Sequence, residues 1–134
     1  MDIRLTSTVV EIVSSDLKRS VEFYRLLGLP VPDPDGPHLA VALPGGNTLA
    51  FDTEEVIAGM HPGWTPPVSA GRMAIAFGVE SPADVDAVFR VVTEAGHRGT
   101  LAPFDAPWGM RYATVEDPDG VSVDLFAPSS SEPG

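Results

Sequence analysis

Apolar positions along the chain switch between two spacings, and they do so twice. Residues 6–13 carry Val9, Val10, Ile12 and Val13, a β-branched run that predicts a strand. Leu17, Val21, Tyr24 and Leu27 then recur at the spacing of a helix with one buried face. Ser15 or Asp16 supplies its N-cap, Gly28 ends it in a left-handed cap, and Pro30 and Pro32 keep it from resuming. Leu39–Leu43 and Thr48–Phe51 flank Pro44-Gly45-Gly46-Asn47, which reads as a hairpin.

The same plan returns in the second half. Met73–Val79 predicts a strand, and Ser81-Pro82-Ala83-Asp84 opens a helix with proline and an acid in its first turn. Val85, Val88, Phe89 and Val92 form its inner face, and Gly96 closes it. The step from Ser15 to Ser81 is 66 residues and that from Gly28 to Gly96 is 68, so a strand–helix–strands module is duplicated. Residues 100–104 predict a short strand, and Tyr112–Val115 and Val121–Phe126 flank the turn Asp117-Pro118-Asp119-Gly120.

Residues 53–71 lack clean periodicity and hold Glu54, Glu55, Met60, His61, Trp64 and several prolines. A long loop with large apolar side chains serves as a linker or as a lid. The expected organisation is therefore one domain over residues 1–127. Module one covers about 5–53, a linker or lid about 54–71, and module two about 72–127, with a disordered tail at 128–134. Phe23, Tyr24, Phe77, Phe89 and Phe126 lie inside elements among apolar neighbours and are expected in the core.

Composition narrows the classes. A chain of 134 residues can bury a core, and zero cysteines exclude disulfides, thiolate metal sites and thiol catalysis. No apolar stretch reaches the length of a bilayer span, and Met-Asp-Ile-Arg is unlike a signal peptide, so the expectation is a cytoplasmic protein away from membranes. The net charge of −11, with no basic stripe, argues against nucleic acid as a partner. It suits a cationic ligand, or it only keeps the protein soluble.

Two segments carry a family resemblance: Ser15-Asp16-Leu17-Lys18-Arg19-Ser20-Val21-Glu22-Phe23-Tyr24 leading to Leu27-Gly28, and Asp117-Pro118-Asp119-Gly120 followed by Val123-Asp124-Leu125. They resemble the vicinal-oxygen-chelate superfamily of glyoxalase I, extradiol dioxygenases, fosfomycin-resistance enzymes and bleomycin-resistance proteins. The resemblance implies an α+β fold of two βαβββ modules whose curled sheets form cups, and a paired or domain-swapped homodimer. It also implies a metal held by His, Gln or Glu at four strand positions. Here those positions are Val9, Ala50, Arg72 and Asp124, and only the last can donate to a metal. The usual metal site is thus expected to be absent, with no cofactor in its place.

A displaced site would need Glu11, Asp124 and His38 or Asp52, with Glu11 sharing a strand face with Val9. The histidines at 38, 61 and 97 show no ligand spacing. Glu11 and Asp124 could alternatively form a general-acid/base pair, or be two surface carboxylates. No nucleophile elbow or phosphate-binding loop is present.

Pro107-Trp108-Gly109-Met110-Arg111-Tyr112-Ala113 resembles the matching segment of antibiotic-binding members of the superfamily. By that resemblance Trp108 stacks on the flat part of a drug, and Gly109 lets the backbone approach it. Phe51, Phe104, Trp64, Met60 and Met110 are candidates for further walls of the ligand site. His38, Tyr112, Asp124, Glu11 and Arg72 complete the candidate ligand-binding set. The expected function is non-enzymatic, metal-free sequestration of a hydrophobic, partly aromatic antibiotic or related natural product, conferring self-resistance. The alternatives are a metal-dependent lyase, isomerase or oxygenase of the superfamily, and a carrier of a biosynthetic intermediate.

Overall fold

Each predicted strand–helix boundary is set by a side-chain cap. In the computed structural model, which describes residues 3–67 and 72–129, β1 (Thr8–Ser14) ends two residues before α1 (Leu17–Leu26). Asp16 caps α1 by accepting from the Arg19 N–H at 3.2 Å. A buried hydroxyl pair, Ser14 and Ser20 at 2.6 Å, ties the strand end to the helix it feeds. Gly28, at φ +98°, takes the left-handed conformation that a C-terminal stop requires.

The chain divides into two compact units, Met1–Pro66 and Pro67–Gly134, and the division falls within the segment read as linker or lid. In the first unit β2 (His38–Ala42) pairs antiparallel with β3 (Asn47–Thr53), and β1 joins the far side of β3 in parallel, giving the order β1-β3-β2. The residues at 44–46 close the β2–β3 hairpin as predicted. Leu49 and Phe51 face inward with Ile12, Leu39, Val41 and the buried Phe23 and Tyr24 of α1.

This module pairs three strands among the described residues, where the second pairs four. Pro30, Pro32, Pro34 and Pro37 punctuate the segment after α1 and cannot donate to a ladder. That segment is anchored by side chains instead. Val31 is buried, and Arg25 donates through Nε to the Val31 carbonyl at 2.8 Å and through Nη2 to Asp33 at 2.7 Å.

A second departure follows β3. Residues read as an aperiodic loop begin with α2 (Glu54–Met60), capped by Thr53, whose hydroxyl accepts from the Val56 N–H at 3.3 Å. Glu54 and Glu55 fall in its first turn, where the helix dipole favours acids. At seven residues it shows little periodicity, and Ile57 is the residue it buries. Residues 68–71 of the expected lid lie outside the described residues.

In the second unit β4 (Ala74–Gly78), α3 (Pro82–Glu94), β5 (Gly99–Ala106), β6 (Met110–Glu116) and β7 (Ser122–Pro128) build a sheet of order β4-β7-β6-β5. Ser81 caps α3, accepting from the Asp84 N–H at 3.2 Å. Val85 and Val92 of α3 are buried, as are Ala113, Val115, Val123, Leu125 and Ala127 on alternate positions of β6 and β7. The intervening residues of those strands therefore lie on the opposite, open face of the sheet. In the β6–β7 turn Asp117 accepts through one carboxylate oxygen from the N–H groups of Asp119 and Val121, at 2.8 and 2.9 Å.

The structure corrects three expectations. β5 runs eight residues, not five, because bulges between Gly99 and Phe104 let it stay paired with β6. Pro128 belongs to β7, and the Ser129 N–H donates to the Gly109 carbonyl at 2.9 Å, so ordered backbone extends into the expected tail; residues 130–134 lie outside the described residues. Phe77, Phe89 and Phe126 are half-buried, unlike the fully buried Phe23 and Tyr24. Phe77 sits on the edge strand β4, Phe89 on the flank of α3, and Phe126 on the open face.

Candidate functional site

The open face of the second sheet gathers most of the chemistry expected in that half of the chain. Register places Gly78, Phe126, Tyr112 and Phe104 in one row across β4, β7, β6 and β5, and Ala76, Asp124, Thr114 and Leu101 in the next. Met110 lies one step further along β6, opposite Ala106. Glycine at 78 makes room for Phe126, since a Cβ there would approach the Phe126 ring to 3.0 Å.

Asp124 sits in the middle of this face. Its Oδ2 accepts from the Tyr112 hydroxyl at 2.5 Å and its Oδ1 from the Thr114 hydroxyl at 2.8 Å. Both donors come from β6, two residues apart, so strand alternation aims them at the same carboxylate. The hydrogen bond to Asp124, helped by partial burial and the carboxylate's charge, pushes the Tyr112 hydroxyl up to about 12. Tyr112 is thus a proton donor to Asp124 throughout the ordinary pH range.

This coupling gives a direct expectation. With Tyr24→Phe removing the chain's second tyrosine, the phenolate absorbance of Tyr112 should rise near pH 12, and in an Asp124→Asn background it should return toward 10. The folded state holds this proton more tightly than an unfolded chain does. The contact therefore stabilises fully below pH 10, and its contribution is lost as pH rises from there through about 12.

Trp108 stands at the tip of the β5–β6 hairpin and is 62% exposed. Its ring packs edge-on against Tyr112, with centroids 5.6 Å apart and planes at 79°. Gly109 has φ +85° and donates its N–H to the Ala106 carbonyl at 3.0 Å. Its role is accordingly to close the hairpin that presents Trp108. Arg111 points to the helix side, where Asp86 holds it through Nε at 3.0 Å and Nη2 at 3.2 Å, and Asp105 lies 3.3 Å from Nη1. Arg72, just before β4, is exposed.

The first unit distributes its candidates differently. Phe51 is fully buried, its ring 5.1 Å from that of Tyr24, so it is core and not a ligand wall. On the sheet face away from α1, Val9 pairs with Thr48, Glu11 with Ala50, and Val13 with Asp52, which in turn pairs with His38. His38 Nδ1–H donates to Asp52 Oδ1 at 2.6 Å. Glu11 and Met60 are exposed, and Trp64 is half-buried after α2, its N–H donating to the His61 carbonyl at 3.0 Å. A depression of about 400 Å³ over α1, lined by Lys18, Val21, Glu22, Arg25, Asp33 and Pro34, includes none of the expected ligand residues.

Among the described residues no group of three His, Asp or Glu side chains could hold a metal ion. The residues at the family's ligand positions explain why. Val9 and Ala50 have no donor atom and Arg72 would repel a cation, which leaves Asp124 as a lone donor among the four. This donor set does not fit the family's metal. Of the further residues on the open face, Thr114 and Phe126 are not among those expected from sequence. The alternation of β6 and β7 around the retained Asp124 is the signal that points to both.

Two strand–helix–strand units of parallel offset strands and hairpins define a class, and the sequence places the chain in it. Residues 6–125 match the model of the Glyoxalase/Bleomycin resistance protein/Dioxygenase superfamily, and the chain belongs to that family. It is similar to the structure of a glyoxalase/bleomycin resistance protein/dioxygenase family enzyme from Burkholderia phytofirmans, with TM-score 0.79 and 18% identity over 90% of this chain and 97% of that one. A glyoxalase/bleomycin resistance protein/dioxygenase from Nocardioides aligns at TM-score 0.68 and 26% identity, covering 100% of this chain and 91% of that one. TioX from Micromonospora sp. ML1 aligns at TM-score 0.61 and 23% identity, covering 92% and 98%. No curated protein matches the chain. Among the described residues no helix is long and apolar enough to cross a membrane.

Proposed function

We propose that this protein binds, without transforming it, a planar and largely hydrophobic small molecule on the open face of its second sheet, and so sequesters an antibiotic or related natural product. The observation that carries this reading is Trp108, held at a hairpin tip, 62% exposed and in T-shaped contact with Tyr112. A tryptophan serving only as packing would bury its area, whereas this one leaves a face free for stacking. Phe104, Phe126 and Met110 extend the apolar surface beside it, and Asp124 supplies a single polar anchor. A site of apolar walls with few placed polar groups is the usual form of a small-molecule site.

Trp108→Ala tests the reading. Binding of a ligand drawn from a panel of quinone, quinoxaline, anthraquinone-type and glycopeptide antibiotics should quench tryptophan fluorescence in the wild type. The alanine variant should lose about 1–3 kcal/mol of affinity, with its melting temperature nearly unchanged because little packing is removed. A panel ligand that binds the variant as tightly as wild type would overturn the site. The enzymatic alternative is separated by elemental analysis. Protein purified without chelator is expected to carry no stoichiometric divalent metal, given the side chains at positions 9, 50 and 72. One tightly held transition metal per chain would refute the metal-free reading.

A further inference from the structure

We infer that the ligand of this face is cationic as well as planar, with a protonated amine or amidine seated on Asp124 while its rings lie against Trp108 and its aromatic neighbours. The inference rests on the binding reading above and adds the ligand's charge to it. Among the described residues Asp124 is the one carboxylate in the two central rows of the open face. Its row neighbours are Ala76, Thr114 and Leu101, and the adjoining row is Gly78, Phe126, Tyr112 and Phe104. A carboxylate in an apolar surrounding is costly unless it is hydrogen-bonded, and two neutral hydroxyls meet that need without neutralising it.

Those two hydroxyls occupy one acceptor position on each oxygen. An ionised carboxylate has about four such positions, so the outward pair remains for a donor from the ligand. The basic residue nearest along β6, Arg111, cannot fill the role, because Asp86 and Asp105 hold it toward the helix side. An ammonium beside Asp124 would also sit within reach of ring faces, adding cation–π attraction. The net charge of −11 draws such a ligand in from solution.

Three fused-ring probes of similar size and different charge make the test: 9-aminoacridine as the cation, acridone as the neutral ring system, and anthracene-9-carboxylate as the anion. Each is titrated into the full chain by isothermal titration calorimetry, which reads wild type and Trp108→Ala alike. 9-Aminoacridine should bind about ten-fold or more tightly than acridone, the scale of one charge-assisted hydrogen bond, and the anion most weakly. Asp124→Asn should remove the preference, with the cation losing about ten-fold in affinity. Tyr112→Phe keeps the carboxylate and should keep the preference, which guards against a folding defect in the asparagine variant. Trp108→Ala should weaken the cation and the neutral ring alike. Equal binding of cation and neutral ring, both still dependent on Trp108, would overturn the charge inference and leave the stacking site standing. Failure of all three probes to bind, or binding indifferent to Trp108, would remove both.

Discussion

Phe51→Ala is expected to lower the free energy of unfolding by about 3–5 kcal/mol, a large fraction of the stability of a domain this size. Phe51 is fully buried at the centre of β3, with Ile12 and Leu39 as its register partners on either side. Its ring lies 5.1 Å from Tyr24, which in turn meets Phe23 edge-on at 4.9 Å. Truncation would leave a void where the sheet and α1 meet, and the two remaining rings, Phe23 and Tyr24, cannot collapse into it without leaving their rotamers. Urea unfolding followed by far-ultraviolet circular dichroism measures the loss directly. Phe51→Leu, which refills most of the volume, should cost markedly less. Affinity of the folded fraction for a ring probe should be unchanged. A small stability loss with weakened binding would instead return Phe51 to the ligand wall that its sequence neighbourhood suggests.

Elements with long, regular periodicity are legible in the amino-acid sequence. α1 and α3 are marked by apolar spacing, capping side chains and closing glycines, and the two hairpins by Pro44–Asn47 and Asp117–Gly120. Short or irregular elements are not. α2 spans barely two turns, too few for its one buried residue, Ile57, to establish a period. β5 hides its length because its bulges shift the alternation midway, so that Leu101 and Phe104 pair with β6 on one face despite an odd spacing.

The candidate site divides along the same physical line. Phe104, Met110, Tyr112 and Asp124 come together because they alternate along paired strands, a pattern the sequence carries, and Trp108 joins Tyr112 from the hairpin tip. Phe51 has the same residue type and a strand position too, yet the parity of β3 turns it toward α1. Parity on an isolated strand cannot be assigned to core or open face until its partners are known. Phe126 reads as a core residue for the same reason, and the space it needs on the open face comes from Gly78 on a different strand. Aromatic type marks the residues that matter, and strand register decides which surface they serve.

Gly99→Val is expected to cost about 3 kcal/mol, at the top of the range for overpacking, although its position is exposed and its backbone is not in the left-handed region. The reason is contact with α3. A Cβ at Gly99 would lie 2.5 Å from Phe89 Cζ and 2.9 Å from Thr93 Cγ2, so even alanine requires these side chains to shift. Thr93 cannot swing away freely, because its hydroxyl donates to the Phe89 carbonyl at 2.8 Å. The cost should therefore be carried mainly by the Phe89 ring. Phe89→Leu, which shortens that ring, should recover a large part of the Gly99→Ala loss, and a double-mutant cycle by chemical denaturation measures the coupling. Additive effects of the two substitutions would show that Gly99 is needed for something other than this approach. Ring-probe binding supplies the remaining readout: Gly99 lies on the helix side of the sheet opposite Val115, so the folded variant should keep the Trp108-dependent affinity.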